Sequence, residues 1–136
     1  MAHRGASRVA PENSLEALQA AANLGADMAE IDVRRTRDGV LVLHHNRTIR
    51  RRRLTAMQHA EAQLADPHLA TLDNAVRLAK GRIMLDVELK EEGYEREVLE
   101  CVSSYLAPSA FVVTSFSLAT VERVKQLRPE LAAGWI

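Results

Sequence analysis

The sequence predicts an α/β fold built on a parallel sheet. Three observations carry that prediction. Short apolar runs alternate with segments whose apolar residues recur at helical spacing. Cap and stop residues stand between the two kinds of segment. In order the segments read β-α-β-α-β-α-β, the signature of a parallel sheet with crossover helices.

The elements follow in order. AHRGA, residues 2–6, reads as a first strand. Residues 14–24 carry Leu15, Leu18 and Ala22 at helical spacing. Asn13 is the expected N-cap, with Glu16 three residues on, and Gly25 the expected stop. ADMAEIDVRRT alternates as a strand, Asp38-Gly39 marks a turn, and VLVLHH is a second extended run. Residues 47–68 are polar and read as a loop or small excursion. Thr71 caps a helix through Ala79, Lys80-Gly81 ends it, and RIMLDVELK is the next strand. Residues 94–106 form an amphipathic helix with Val98, Leu99, Val102 and Leu106 on one side. FVVTS is a strand, Ser117 caps the helix LATVERVKQL, Pro129 stops it, and LAAGWI begins another strand. No segment is of low complexity and none repeats. A closed (β/α)₈ barrel takes about 250 residues. The 136 residues, with about five of eight strands, therefore make either a small open sheet or part of a barrel.

That length suits one domain, and 47% hydrophobic with 26% charged residues is an ordinary globular balance. The formal net charge is zero, so no global field draws the chain to nucleic acid or to an anionic membrane. The run Arg50-Arg51-Arg52-Arg53 is a local exception. It reads as a solvated loop rather than a nucleic-acid patch, because no aromatic residues interleave with it. The single Cys101 excludes an internal disulfide and fits a reducing compartment, so the expected location is cytoplasmic. It lies in an apolar helical pattern and reads as a packing thiol. There is no signal-peptide pattern and no apolar run long enough to span a bilayer.

Charge inside two strands points to a site. Glu30 and Asp32 lie two residues apart and share a face. Asp86, Glu88 and Lys90 do the same, with Val87 and Leu89 opposite. Buried, unpaired carboxylates cost several kcal/mol, so something must compensate them. Converging carboxylates make a hard oxygen site for Mg²⁺ or Ca²⁺. The other reading is a structural ion-pair network with Lys90, Arg4 or Arg34. His3 and His45 stand near strand ends, where barrel active sites gather, and two histidines beside a metal supply acid and base. His44 alternates with His45 and faces away, while His59 and His68 lie in polar sequence and read as structural.

His3-Arg4-Gly5, Pro11-Glu12-Asn13, Gly25-Ala26-Asp27, Glu30-Ile31-Asp32-Val33, Asp38-Gly39, Thr71-Leu72, Val87-Glu88-Leu89-Lys90 and Ser115-Phe116 occur in this order and spacing. Together they resemble the glycerophosphodiester phosphodiesterase family, a TIM-barrel family related in architecture to phosphatidylinositol-specific phospholipases C. The resemblance covers residues 1–136 and implies the first half or more of such a domain. It implies a divalent cation, Mg²⁺ or Ca²⁺, on Glu30, Asp32 and Glu88. It implies catalytic histidines at His3 and His45. The count from Asp38-Gly39 favours His45, and Thr48 and Arg51 then fall on family positions. It implies Arg4 and Lys90 on phosphate oxygens, with Glu12 and Asn13 supporting them. Asn46 stands where the family has aspartate, which keeps the shape and loses the charge.

The implied activity is hydrolysis of glycerophosphodiesters to an alcohol and glycerol 3-phosphate. Two alternatives stand beside it: a lysophospholipase D-type enzyme, and a catalytically silent homologue or binding module. The implied partner is a small glycerophosphodiester, with no nucleic acid and no transmembrane segment. Open sheet edges also predict self-association and low activity for these residues alone.

Overall fold

Local signals set most of the elements. In the computed structural model, which describes residues 1–136, the helices are α1 (Leu15–Asn23), α2 (His59–Ala65), α3 (Leu72–Ala79), α4 (Glu95–Ser103) and α5 (Leu118–Leu127). Thr71 and Ser117 cap α3 and α5 by accepting from the Asn74 and Thr120 N–H groups, as their spacing predicts. The strands are β1 (Met28–Arg35), β2 (Leu41–Leu43), β3 (Thr48–Ile49), β4 (Arg52–Arg53), β5 (Met84–Leu89), β6 (Phe111–Ser115) and β7 (Ala133–Trp135).

The main sheet runs β2-β1-β5-β6-β7, with β3 and β4 forming a separate hairpin. β1, β5, β6 and β7 are parallel neighbours. Ile31, Val33, Leu85, Val87, Leu89 and Val113 belong to one core with residues of α1, α3, α4 and α5. Alternation sends Glu30, Asp32, Asp86, Glu88 and Thr114 to the opposite face. The register sets Glu30 beside Asp86 and Asp32 beside Glu88. This is an α/β fold on a mostly parallel sheet, with fewer than the eight strands of a closed barrel. No helix is long and apolar enough to cross a membrane.

Three expectations are corrected. AHRGA is not a strand. Only Ala2 bridges to Ala29, because Arg4 and Gly5 take φ of 55° and 76° and cannot continue an extended chain. Gly5 is required there twice over. A Cβ would meet the carbonyl carbon of Ala17 at 2.7 Å, and φ is positive. The cap of α1 is Ser14, whose Oγ accepts from Ala17 N–H at 3.1 Å, not Asn13. Asn13 has φ 57° and spends its side chain elsewhere.

VLVLHH is extended over Leu41–Leu43, as its pattern predicts, and its direction is set by the turn before it. β2 pairs antiparallel with β1, Arg35 opposite Leu41 and Val33 opposite Leu43. The turn at Thr36–Val40 closes with Thr36 N–H on the Val40 carbonyl at 3.0 Å. A parallel return would need a crossover of about a dozen residues or more. Finally, residues 47–68 are not irregular throughout. They hold the β3–β4 hairpin, a short 3₁₀ turn and α2 over a small core of Val42, Ile49, Leu54, Met57, Ala62 and Leu69.

Candidate active site

The parallel pairing of β1 with β5 builds the site. Glu30, Asp32 and Glu88 are all buried, and each offers an oxygen within 4.8 Å of the others. An ion with oxygen ligands at about 2.0–2.6 Å spreads them over at most about 4–5 Å, which this cluster meets. Glu30 Oε1 and Asp32 Oδ1 are buried without a hydrogen-bond partner. Lys90 Nζ lies 3.2 Å from Asp32 Oδ1 as an ion pair, outside hydrogen-bonding geometry. It donates instead to Glu88 Oε1 at 2.6 Å. Two orphaned acceptors in a hard, acidic pocket fit a divalent cation. Asp86 is on the same face but accepts from Thr114 Oγ1 at 2.7 Å, and lies outside the cluster.

Asp32 divides its two oxygens. Oδ2 accepts from Asn13 Nδ2 at 2.9 Å and from His45 Nδ1 at 3.1 Å, and Arg4 Nε lies 3.3 Å away. Asn13 Oδ1 accepts from the Asp32 backbone N–H in return, at 2.9 Å. The Asn13 side chain thus ties the first loop to β1. Burial works against the charge on Asp32. The Asn13 hydrogen bond and the Lys90 ammonium outweigh it and hold the carboxyl below its usual range.

The tautomer of His45 follows from its neighbours. An ionised Asp32 only accepts, so His45 Nδ1 donates. Arg4 Nη2, 3.2 Å from Nε2, only donates, so Nε2 accepts. These neighbours suit the tautomer with the proton on Nδ1 and the lone pair of Nε2 toward Arg4. His44 points elsewhere, its Nδ1 donating to the Asn46 carbonyl at 2.8 Å. The exposed Asn46 contributes that carbonyl, while the Asp32 carboxylate orients the His45 ring.

His3 lies on the first loop, 65% exposed, with Nε2 3.7 Å from Glu30 Oε2. Arg4 donates its backbone N–H to that oxygen at 2.8 Å and its Nη1 to Glu12 at 3.0 Å. Its left-handed backbone, strained for a residue with a Cβ, is held by this set of contacts. The structure thus brings His3, Arg4, Glu12, Asn13, Glu30, Asp32, His45, Glu88 and Lys90 together. A cleft of about 450 Å³ opens beside them, lined by Arg47, Glu88, Lys90, Glu92, Ser115 and Phe116 among others. A cavity of about 430 Å³ at the far ends of the strands, at Gly25, Ala26 and Gly81, holds no comparable cluster.

Arg34 escapes the sequence reading, which saw it only as a counter-ion for the carboxylates. It is buried, with Nη2 on the His45 carbonyl at 2.7 Å, Nε on the His44 and His45 carbonyls at 3.1 Å, and Nη1 on Glu91 at 2.6 Å. It clamps the backbone that carries His45. Its place after Glu30 and Asp32, on the same strand face, is the signal that marks it.

Burial first, then the negative Asp32, Glu88 and Asp86, raise Glu30 to about 7 against the Arg4 N–H that favours its charge. The sign of the resulting pH dependence follows. Below about 4.5 Glu30 is protonated folded or unfolded, and its contribution is full. From about 4.5 to 7 the unfolded chain loses this proton while the folded chain keeps it, so stability falls as pH rises. Urea unfolding of cation-free protein is expected to show a loss of up to a few kcal/mol over that window. Glu30→Gln is expected to flatten it. A wild-type profile with no fall there would contradict this account of Glu30.

The sequence model of the glycerophosphoryl diester phosphodiesterase family matches residues 3–83. A glycerophosphodiester phosphodiesterase of Caldanaerobacter subterraneus subsp. tengcongensis is 28% identical over 156 residues, which cover 98% of this chain and 64% of that protein. The crystal structure of glycerophosphodiester phosphodiesterase from Agrobacterium tumefaciens superposes with TM-score 0.86 at 28% identity, over 97% of this chain and 64% of that one. An Oleispira antarctica phosphodiesterase in complex with the product sn-glycerol-3-phosphate gives TM-score 0.86 at 29% identity, over 98% and 64%. The chain thus spans 64% of the length of each of these relatives. With a family match over residues 3–83 and the same fold along nearly its whole length, this chain belongs to the glycerophosphoryl diester phosphodiesterase family.

Proposed function

We propose that residues 1–136 carry part of a TIM-barrel catalytic domain that hydrolyses glycerophosphodiesters to an alcohol and glycerol 3-phosphate. One observation carries the reading above the rest. A buried carboxylate cluster with unpartnered oxygens adjoins a histidine whose neighbours suit a lone pair on Nε2. Glu30, Asp32 and Glu88 would hold one Mg²⁺ or Ca²⁺, which when bound neutralises phosphoryl oxygens. The donor set supports this, since carboxylate oxygens suit hard cations.

The side chains do the rest. Arg4 and Lys90 offer donors to the phosphoryl oxygens as charge develops there. His45, held by Asp32, takes the proton of the attacking hydroxyl at Nε2. That hydroxyl is water or the neighbouring glycerol oxygen. As its oxygen bonds to phosphorus, the bond to the leaving alkoxide breaks, and His3 gives that alkoxide a proton. Where the glycerol oxygen attacks, the cyclic phosphodiester that forms is opened to glycerol 3-phosphate by water in a second step, with the two histidines exchanging acid and base roles. Glu12 and Asn13 act through others, Glu12 on Arg4 and Asn13 on Asp32. The partly buried, unpaired Cys101 supports a reducing, cytoplasmic setting.

The test is release of glycerol 3-phosphate from glycerophosphocholine by a polypeptide that contains this chain and completes the barrel. Turnover is expected within roughly 1–10³ per second, lost on chelation and restored by Mg²⁺ or Ca²⁺. Cation binding without turnover would favour a silent binding module. Turnover of lysophospholipid in preference would favour the lysophospholipase D-type reading.

A further inference from the structure

The fold changes the meaning of the arginine run. Arg47, Arg50, Arg51, Arg52 and Arg53 are all exposed on or beside the β3–β4 hairpin. Arg50 and Arg51 form its tip with φ of 46° and 69°. A hairpin tip with both residues left-handed favours Asn or Gly, because a Cβ is crowded there. The chain keeps arginine at both positions, which is an observed outlier that calls for a reason. The hairpin is not a floppy loop. Ile49 and Leu54 root it in the small core with Met57 and Leu69.

The charges on this knob are left bare. Of the five arginines only Arg52 meets a carboxylate, Glu61 at 3.8 Å, and both side chains are about half exposed. Removing these five from the 18 basic residues leaves 13 against 18 acidic residues elsewhere. The zero net charge therefore hides a local excess, a positive tip on a chain that is otherwise net negative. The tip also has a place relative to the chemistry. It begins two residues after His45, and Arg47 lines the cleft beside Glu88 and Lys90.

We propose that the β3–β4 hairpin is a docking knob for the surface of a bilayer rich in anionic phospholipid, which it brings to the mouth of the cleft. The shape favours a bilayer over nucleic acid. A compact point of charge meets a plane of headgroups, whereas nucleic acid is bound along a basic stripe or groove, with aromatic stacking where strands are single. The hairpin itself carries no aromatic residue; the exposed Phe116 lines the cleft with Arg47 and lies under the Lys90 ammonium. The proposal stands whether or not the site turns over substrate, because it rests on charge and shape alone.

Cosedimentation of the polypeptide that contains this chain and completes the barrel with phosphatidylcholine vesicles, with and without about 30 mol% phosphatidylglycerol, tests it. Binding is expected only with the anionic lipid, and is lost at about 0.5 M salt. Arg50→Asn with Arg52→Thr and Arg53→Thr removes three charges while improving the turn and strand chemistry. Arg51, which falls on a family position, stays. At about fivefold per arginine, partitioning is expected to drop about 100-fold, with the thermal midpoint unchanged or raised. The matching lysine variants at 50, 52 and 53 should keep most of the binding. Equal binding by the neutral variant, equal binding to pure phosphatidylcholine, or no binding at low salt would each overturn the proposal. Tighter binding to duplex DNA or RNA at the same salt would replace it with a nucleic-acid surface.

Discussion

His45→Ala is expected to lower kcat on glycerophosphocholine by about 10²–10⁴-fold, while His44→Ala leaves it within a few-fold. The two histidines are neighbours in sequence and opposites in structure. His45 Nδ1 faces Asp32 Oδ2 at 3.1 Å, and His44 Nδ1 faces the Asn46 carbonyl at 2.8 Å. Only His45 therefore has its lone pair directed beside the carboxylate cluster. Initial rates of glycerol 3-phosphate release, in the polypeptide that completes the barrel, read the difference. A His44→Ala protein without activity beside an active His45→Ala protein would reverse the assignment.

Glu30→Ala is expected to weaken Mg²⁺ or Ca²⁺ binding by about 100-fold or more, since even groups behind the ligands are worth 10–100-fold. Calorimetric titration of the 136-residue chain measures this without needing turnover. The reason is local. Glu30 Oε1 has no other partner, so the substitution deletes a free ligand atom, and it also removes the Oε2 that accepts from the Arg4 N–H and lies beside His3. A second consequence has the opposite sign. Above pH 7 the cation-free protein keeps Glu30 ionised beside Asp32, Glu88 and Asp86 at a cost. Removing it lifts that repulsion, so the substitution offsets part of its own packing loss when no cation is present. Equal cation affinity in both proteins would remove Glu30 from the site.

Much of the fold is legible residue by residue. Thr71 and Ser117 predict the starts of α3 and α5, and the structure places both caps there. The same two-residue period that makes AEIDV and LDVELK strands sets Glu30 with Asp32, and Asp86 with Glu88, on one face. Asn13 and Ser14 show the limit of such reading. Both residues suit an N-cap, and only the pull of Asp32 on the Asn13 amide, from a strand 19 residues away, separates them.

By itself the sequence determined most of the helices and strands, the caps of α3 and α5 and the faces on which charge is carried, because those depend on neighbours within a turn or a pleat. The tertiary structure decided the rest. It turned β2 back along β1, so that His45 meets Asp32, and it set Asp32 opposite Glu88 in register. It sent Asp86 to Thr114 and Arg34 to the His45 carbonyl. It also made a rooted knob of what reads as a solvated arginine run. Each of these is a choice among partners distant in the chain. Such a choice is made by strand pairing and by the cost of leaving a buried polar group unpaired, and no local pattern records it.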